Sequence, residues 1–471
     1  MVWNFKSYTD KIAMIDDSKK MLTYGQLEDE IEYFKNVVRE RCLIFCICKN
    51  TIGSLLGYIS CIHSKVVPLM LSEEMDHTLF RQLEEKYHPK YVWAPESYDF
   101  PSEMIKTNFG RYGYRLYRTQ HEVKIKLHDE LALLLTTSGS TGSPKLVRQS
   151  YINIAANTSS IVEYLKLDSR EKAITTLPMN YTYGLSIINT HLAVGATVLL
   201  TERTLFEKEF WEFFRDQGAT SFGGVPYTYE MLKKLRFLKM TLPTLNVMTQ
   251  AGGHLSSELH QEFAEFACRS NILFFIMYGA SEATARMSYL PSEKSLEKKG
   301  SIGIAIPGGR FELIDAEGNI INEPNKIGEL VYYGKNVTLG YALDVEDLAK
   351  GDERQGRLET GDMAYIDEDG FYYIAGRKKR FLKVFGNRFG LDEAENILKQ
   401  HFTESNFACT GYDDAVYIFV EGQINKAEVR HYISNVTKIH ISAFHVCSID
   451  KIPRNTAGKI TYSELERYYE K

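Results

Sequence analysis

The sequence predicts an α/β protein: a large N-terminal domain of layered sheets and helices with a β-rich subdomain, then a small α+β C-terminal domain. Three observations predict it. Helical periodicity alternates with short unbroken apolar runs from Leu22 to about Pro291. Two hairpin-like segments follow Gly300. A mixed pattern of roughly 90 residues, the size of an independent domain, closes the chain.

Taken in order, Leu22–Arg39 has the apolar spacing of a helix and Leu43–Cys48 the character of a buried strand. Ser54–His63 reads as helix and Val66–Leu71 as strand. Leu131–Thr136, Ala196–Leu200 and Ile272–Met277 are further strands, with Glu207–Gln217 and Ser257–Arg269 helical between them. Unbroken apolar runs, as opposed to alternating ones, are what strands covered on both faces require. Phe311–Ile321 reads as a hairpin with Gly318 in the turn, where positive φ is needed. Ala364–Ile374 repeats that design around Gly370, and Gly328–Tyr333 adds a third strand-like segment. The fragment Asp367-x-Asp369-Gly370 lacks the other ligands and the closing Glu of a calcium loop, so it is a turn. The basic run Arg377–Arg380 opens the last segment. Helices are expected there at Asp392–Gln400, Lys426–Ser434 and Tyr462–Tyr469, with a strand at Ala415–Glu421. The domains expected are therefore 1–376 and 377–471.

With 471 residues, 44% of them hydrophobic and 25% charged, the chain has an ordinary globular composition and exceeds one compact core. A net charge of -5 over 56 basic and 61 acidic side chains gives no basic footprint, so neither nucleic acid nor a membrane surface is an expected partner. No apolar run approaches the ~20 residues of a membrane span, and Met1–Lys6 does not begin a secretory leader. Seven cysteines are scattered, three of them in the apolar stretch Cys42–Cys48, where they read as small hydrophobes and not as metal ligands. Unpaired apolar thiols suit a reducing compartment, so a cytoplasmic location is expected.

The strongest chemical signal follows strand Leu131–Thr136. The loop Thr137, Ser138, Gly139, Ser140, Thr141, Gly142, Ser143, Pro144, Lys145 combines two glycines, hydroxyls and a lysine. Glycines let backbone amides approach an oxyanion, hydroxyls donate further hydrogen bonds, and the lysine supplies charge, so the loop can cradle a polyphosphate. It does not satisfy the G-x-x-x-x-G-K-[ST] pattern. A plain Ser/Gly linker is the alternative, but a linker need not follow a buried strand or end in Pro-Lys.

Thr137–Lys145 resembles the phosphate loop of the adenylate-forming superfamily: acyl-CoA synthetases, peptide-synthetase adenylation domains and luciferases. Tyr278-Gly279-Ala280-Ser281-Glu282 is similar to its Tyr-Gly-x-Thr-Glu motif, and Thr360-Gly361-Asp362 to its Thr-Gly-Asp. Gly376-Arg377, continuing through Leu382-Lys383 to Gly386 and Arg388, resembles the hinge motif, and Pro453–Lys459 the C-terminal lysine loop. The motifs occur in the family's order across nearly the whole chain.

The resemblance implies ATP and Mg²⁺ as cofactors and a carboxylic acid as substrate. The acyl-AMP formed would pass to a phosphopantetheine thiol, on coenzyme A or on a carrier protein acting in trans. It implies that Glu282 holds the metal, Asp362 accepts the ribose hydroxyls and Arg377 helps clamp the nucleotide. Lys459 would bridge carboxylate and α-phosphate, cancelling their repulsion in the transition state. Lys379 stands at the hinge of a mobile C-terminal domain, and Gly386 would line the thiol tunnel. Gly252 and Gly253 resemble the loop beside adenine and acyl group, with His254 lining it.

Leu177–Leu185 is similar to the family's aromatic gate, which places Tyr181 and Thr182 in the acid pocket. Acyl-CoA synthetases often have His where Tyr181 stands. The Asp that pairs a substrate ammonium in amino-acid-activating members is replaced by Thr182, which argues against an ordinary α-amino acid. Two other classes stay open: a non-catalytic nucleotide-binding relative acting as a binding or scaffold protein, and a luciferase-type oxidoreductase. Retention of Lys145, Glu282, Asp362, Arg377 and Lys459 together favours the ligase.

Overall fold

Strand Leu43–Cys48 is buried at every position in the computed structural model of the chain. Ile44, Cys46 and Cys48 enter one core, while Leu43, Phe45 and Ile47 enter another on the opposite face. A strand covered on both sides has no solvent face for polar residues, which is why the run carries no alternation. Burial pushes the Cys42 thiol up to about 12, so it packs as an inert hydrophobe. The structure describes residues 2–136, 145–385, 387–455 and 459–469, save for the side chains of Lys379, Phe381, Lys383, Asn387 and Arg388.

The chain divides into two compact units. The first holds the described residues up to 310 together with Tyr333–Leu358; the second holds Phe311–Tyr332 and the described residues from 359 onward.

Two large sheets build the first unit. One runs Gly340–Ala342, Leu146–Ser150, Leu131–Thr136, Val67–Ser72, Leu43–Cys48, Tyr91–Pro95, Tyr114–Arg118, Ile105–Arg111. Its four middle strands, Leu131–Thr136 to Tyr91–Pro95, pair in parallel. The other runs Ile304–Ala305, Ser288–Leu290, Leu273–Tyr278, Val247–Gln250, Ser221–Gly224, Lys172–Ile174, Thr197–Leu200, Ile12–Asp16, Met21–Thr23. Helices Ile52–His63, Tyr151–Leu165 and Thr182–Ala193 lie between the sheets: Leu55, Ile154 and Ile188 share one core with Ile44 of the first sheet and Met14 and Val198 of the second. A helix in that layer has no use for a polar face, and Ile52–Ile62 is buried throughout.

Most predicted elements occur within a residue or two of their expected bounds, and Leu43–Cys48, Leu131–Thr136, Ser257–Arg269 and Ala415–Glu421 coincide. The helix expected from Leu22 begins at Tyr24, because Thr23 caps it: its Oγ1 accepts the Gln26 amide at 3.2 Å and Gln26 Oε1 accepts the Thr23 amide at 2.9 Å. Asp367 Oδ1 accepts the amides of Asp369 and Phe371, the side-chain-closed turn expected there. The terminal helix is shorter than expected. It is α-helical over Tyr462–Leu465 and tightens into a 3₁₀ turn at Glu466–Tyr468.

In the second unit, a three-stranded sheet of Phe407–Tyr412, Ala415–Glu421 and Phe444–Ile449 is covered on one face by helices Leu391–His401 and Lys426–Thr437, through Leu398, Val429 and Ile433. Ile452 and Leu465 cover its other face. Arg380 is paired with Asp392 and Glu395 and lies 3.8 Å from the Tyr462 ring centre. Glu395 also accepts the Tyr462 hydroxyl at 3.2 Å and the Cys409 amide at 2.7 Å. A buried charge needs this degree of satisfaction to be tolerated. Among the described residues, no helix is long and apolar enough to cross a membrane.

Candidate active site

Register delivers the first group of side chains. Strand Leu131–Thr136 returns antiparallel as Leu146–Ser150, with Thr136 opposite Leu146, so the hydroxyl-rich loop connects neighbouring strands. Its residues Thr137, Ser138, Gly139, Ser140, Thr141 and Gly142 lie outside the described residues; Lys145, at its end, is exposed. Gly340–Ala342 pairs with the outer edge of Leu146–Ser150 and sets Tyr341 opposite Val147. The Lys145 ammonium is then 5.4 Å from the Tyr341 ring centre.

Glu282 reaches the same place from the other sheet. It sits in the 3₁₀ turn Ser281–Ala283 that follows strand Leu273–Tyr278. Its Oε1 accepts the Tyr341 hydroxyl at 2.7 Å, and its carbonyl accepts the Thr338 amide at 2.9 Å and Arg354 Nη1 at 3.2 Å. Arg354 also donates to Thr338 Oγ1 at 2.6 Å and lies 4.6 Å from the Tyr341 ring centre. Tyr341 thus carries a cation against its ring on either count and donates its hydroxyl to a carboxylate. Burial, then the charge of Glu282, push its pKa up to about 12, so it stays a donor. Tyr341 and Arg354 were not singled out from the sequence. A tyrosine after a glycine and an arginine in a charged loop carry no local signal; sheet pairing makes them neighbours.

Among the described residues no three His, Cys, Asp or Glu gather to cage a metal. Glu282 is a single, partly exposed carboxylate oriented by a phenol. One such carboxylate, completed by phosphate and water oxygens, suits Mg²⁺, so the donor set fits that ion.

The turn carrying Glu282 explains its glycine. A Cβ on Gly279 would stand 1.6 Å from the Ala285 carbonyl oxygen, a backbone atom with nowhere to go. Tyr278, Ala280 and Ser281 flank it, all partly exposed. Nearby, Gly252 has φ +86°, and a Cβ there would meet the Tyr181 hydroxyl at 2.6 Å. The sheet end at Val247–Gln250 and the start of helix Thr182–Ala193 thereby bring Gly252 and Tyr181 together. Thr182 is buried as the helix's first residue, Gly253 packs beside Pro226, and His254 is exposed.

The second unit holds the remaining predicted residues. Asp362 and Arg377 face each other across antiparallel strands Arg357–Ile366 and Tyr372–Arg377, with Arg377 Nε 3.6 Å from Asp362 Oδ1. Lys379 lies in the 3₁₀ turn Lys378–Arg380, and Gly386 lies outside the described residues. Lys459 is held to Asn455: its amide donates to Asn455 Oδ1 at 3.0 Å and its carbonyl accepts the Asn455 amide at 2.9 Å.

Residues 59–342, more than half of the chain, match the family described as AMP-binding enzyme. The chain belongs to that family. Among its AMP-binding relatives, oxalate–CoA ligase of Arabidopsis thaliana is 28% identical over 359 residues, covering 70% of this chain and 66% of its own. A 2-succinylbenzoate–CoA ligase of Bacillus cereus is 26% identical over 352 residues, 72% of this chain and 70% of its own. The match to the Arabidopsis protein spans just under two thirds of that protein's length. The fold is shared with o-succinylbenzoate CoA synthetase from Bacillus subtilis in complex with an acyl-adenylate intermediate, at TM-score 0.76 and 19% identity over 97% of this chain and 95% of that one. It is shared equally with a benzoate CoA ligase from Burkholderia xenovorans, at TM-score 0.76 and 18% identity over 98% of each chain.

Proposed function

We propose that the protein is an AMP-forming acid–thiol ligase. A carboxylate oxygen attacks the α-phosphorus of ATP and pyrophosphate leaves. A phosphopantetheine sulfur, with coenzyme A the acceptor favoured by the relatives' names, then attacks the acyl carbonyl and AMP leaves.

The observation that carries this reading is the Glu282 carboxylate held by Tyr341 beside Lys145, at the end of the strand that leads into the hydroxyl-rich loop. Lys145 and the loop's donors neutralise the phosphates, and Arg354 holds the Glu282 turn from its carbonyl side. Magnesium bound at Glu282 would neutralise charge on the departing pyrophosphate. Asp362 accepts the ribose hydroxyls with Arg377 alongside, and Lys459 bridges the reacting carboxylate and phosphate. Tyr181, Thr182, Gly252 and His254 border the acid, and the C-terminal domain turns about Lys379 between the two half-reactions. All seven cysteines are unpaired, in keeping with a cytoplasmic setting.

The test is acid-dependent pyrophosphate release from ATP and Mg²⁺, without thiol, over aryl, short-chain, fatty and amino acids. The wild type is expected to respond to one class. Lys459→Ala, folded by circular dichroism, is expected to lose at least ~10³-fold in rate, the scale of one transition-state charge contact. Near-normal release by that variant would sink the role of Lys459.

A further inference from the structure

A narrow cavity lies inside the first unit, enclosed by helices Tyr151–Leu165 and Thr182–Ala193 and by strands Ser221–Gly224, Val247–Gln250 and Leu273–Tyr278. Its walls are mostly aliphatic and aromatic, with hydroxyls from Ser186 and Thr249. One charged group enters it, the guanidinium of Arg286; His191, the other basic side chain of the lining, is kept neutral by burial, its pKa lowered to about 4.

Arg286 is 3% exposed. Its guanidinium stacks on the Tyr183 ring at 3.9 Å and its Nε lies 3.4 Å from Met277 Sδ. Among the described residues, no carboxylate pairs with it. This contrasts with the other deeply buried arginine of the unit, Arg148, which has Glu353 and four backbone carbonyls within reach. An aromatic face returns ~0.5–2 kcal/mol to a cation, whereas burying an unpaired ion costs several kcal/mol. The balance is unfavourable unless an anion arrives from outside the chain.

The backbone is built to hold this side chain inward. Thr284 and Ala285, immediately before it, have φ of +58° and +137°, conformations that side-chain-bearing residues rarely adopt. The Arg286 carbonyl is clasped by Asn157 Nδ2 at 2.9 Å and Asn336 Nδ2 at 2.8 Å. The same short segment carries Glu282, and Tyr183, on which Arg286 stacks, belongs to the helix that Thr182 begins. The unpaired cation is thus tied at both ends to residues of the proposed active site.

We propose that the acid site reaches Arg286 and that its guanidinium pairs with a second carboxylate of the substrate, so that the protein activates a dicarboxylic acid; the cavity itself, about 20 Å³, takes no more than the carboxylate end. The inference rests on the ligase reading and narrows it. One carboxylate is presented for adenylation while the other takes the planar fork of Arg286. A monocarboxylic analogue with methyl in place of the second carboxylate leaves the guanidinium unpaired and is rejected.

The experiment compares succinate, glutarate and phthalate with butyrate, valerate and 2-methylbenzoate as drivers of pyrophosphate release by the full chain. Each pair differs only by methyl for carboxylate. At least one diacid is expected to exceed its methyl partner in kcat/KM by ~100-fold or more, the discrimination of a site whose buried polar group would otherwise go unpaired. Arg286→Met, which fills similar volume without charge, is expected to bring that ratio close to one or invert it. Arg286→Lys, which keeps the charge but loses the fork, is expected to fall between and guards against a variant that fails to fold. Release driven equally or better by the methyl acids overturns this inference and leaves the ligase reading standing. A diacid preference that survives in Arg286→Met also overturns it. Silence from all six acids while an acid of another class drives release overturns this inference alone; silence across the whole panel counts against the ligase reading as well.

Discussion

Tyr341 is the residue on which the first unit's catalytic candidates converge, since its hydroxyl fixes Glu282 and both Lys145 and Arg354 lie against its ring. A hydrogen bond to a charged group is worth ~1.5–3 kcal/mol. Tyr341→Phe keeps the ring and removes only that bond, so kcat/KM for pyrophosphate release is expected to fall ~10–100-fold. Because the phenol acts through Glu282, as a positioning residue, the Mg²⁺ concentration for half-maximal rate is expected to rise as well. A fall in rate with unaltered Mg²⁺ dependence would mean that Tyr341 serves something other than the metal carboxylate. At this scale the sequence disclosed what local patterns carry: Glu282 and Lys145 stand in recognisable motifs, and so do Asp362, Arg377 and Lys459. Tyr341, Arg354 and Arg286 were illegible because their significance comes from partners far along the chain. Tyr341 meets Glu282 by virtue of strand register, and Arg286 matters because no acidic residue among those described is folded against it.

Among the elements, buried strands and amphipathic helices were the legible part, since a run such as Leu43–Cys48 admits few structures other than a strand covered on both faces. The antiparallel pair Ile105–Arg111 and Tyr114–Arg118 carries little signal in the sequence. Its apolar alternation is interrupted by an irregularity between Lys106 and Gly110, and its turn signal is only Tyr112-Gly113, with φ of +49° and +76°. The short turn Lys378–Arg380 has the clearest element-level consequence. Arg380 is locked to Asp392, Glu395 and Tyr462, which ties the far side of the turn to the sheet and helices that follow. A rotation at Lys378–Lys379 would keep that lock and break the bond that the Arg377 amide makes to Asp392 Oδ2 at 3.2 Å. Lys379→Pro restricts φ at that point. It is expected to spare acid-dependent pyrophosphate release within a few-fold and to lower thioester formation far more. Equal loss in both half-reactions would argue against a hinge there.

For the whole molecule, two layered sheets with a buried helical layer supply one set of functional groups, and a smaller α+β unit supplies the other. The first unit presents Lys145, Glu282, Tyr341 and Arg354, and the second presents Asp362, Arg377 and Lys459. Neither set alone contains both the groups proposed to neutralise the phosphates and Lys459, the lysine proposed for adenylation. A reaction with two successive transfers suits such a division, because one constellation can be assembled for each step. In the proposed reaction the acid's own oxygen attacks the α-phosphorus. That attack is tested most directly by supplying an activated acid labelled with ¹⁸O in the carboxylate and following the label through a full turnover with coenzyme A. AMP is expected to carry one labelled oxygen and pyrophosphate none, since the bond made in adenylation is carboxylate oxygen to α-phosphorus and the thiol later cleaves the acyl side. Label in inorganic phosphate accompanied by ADP, or AMP released without label, would contradict it.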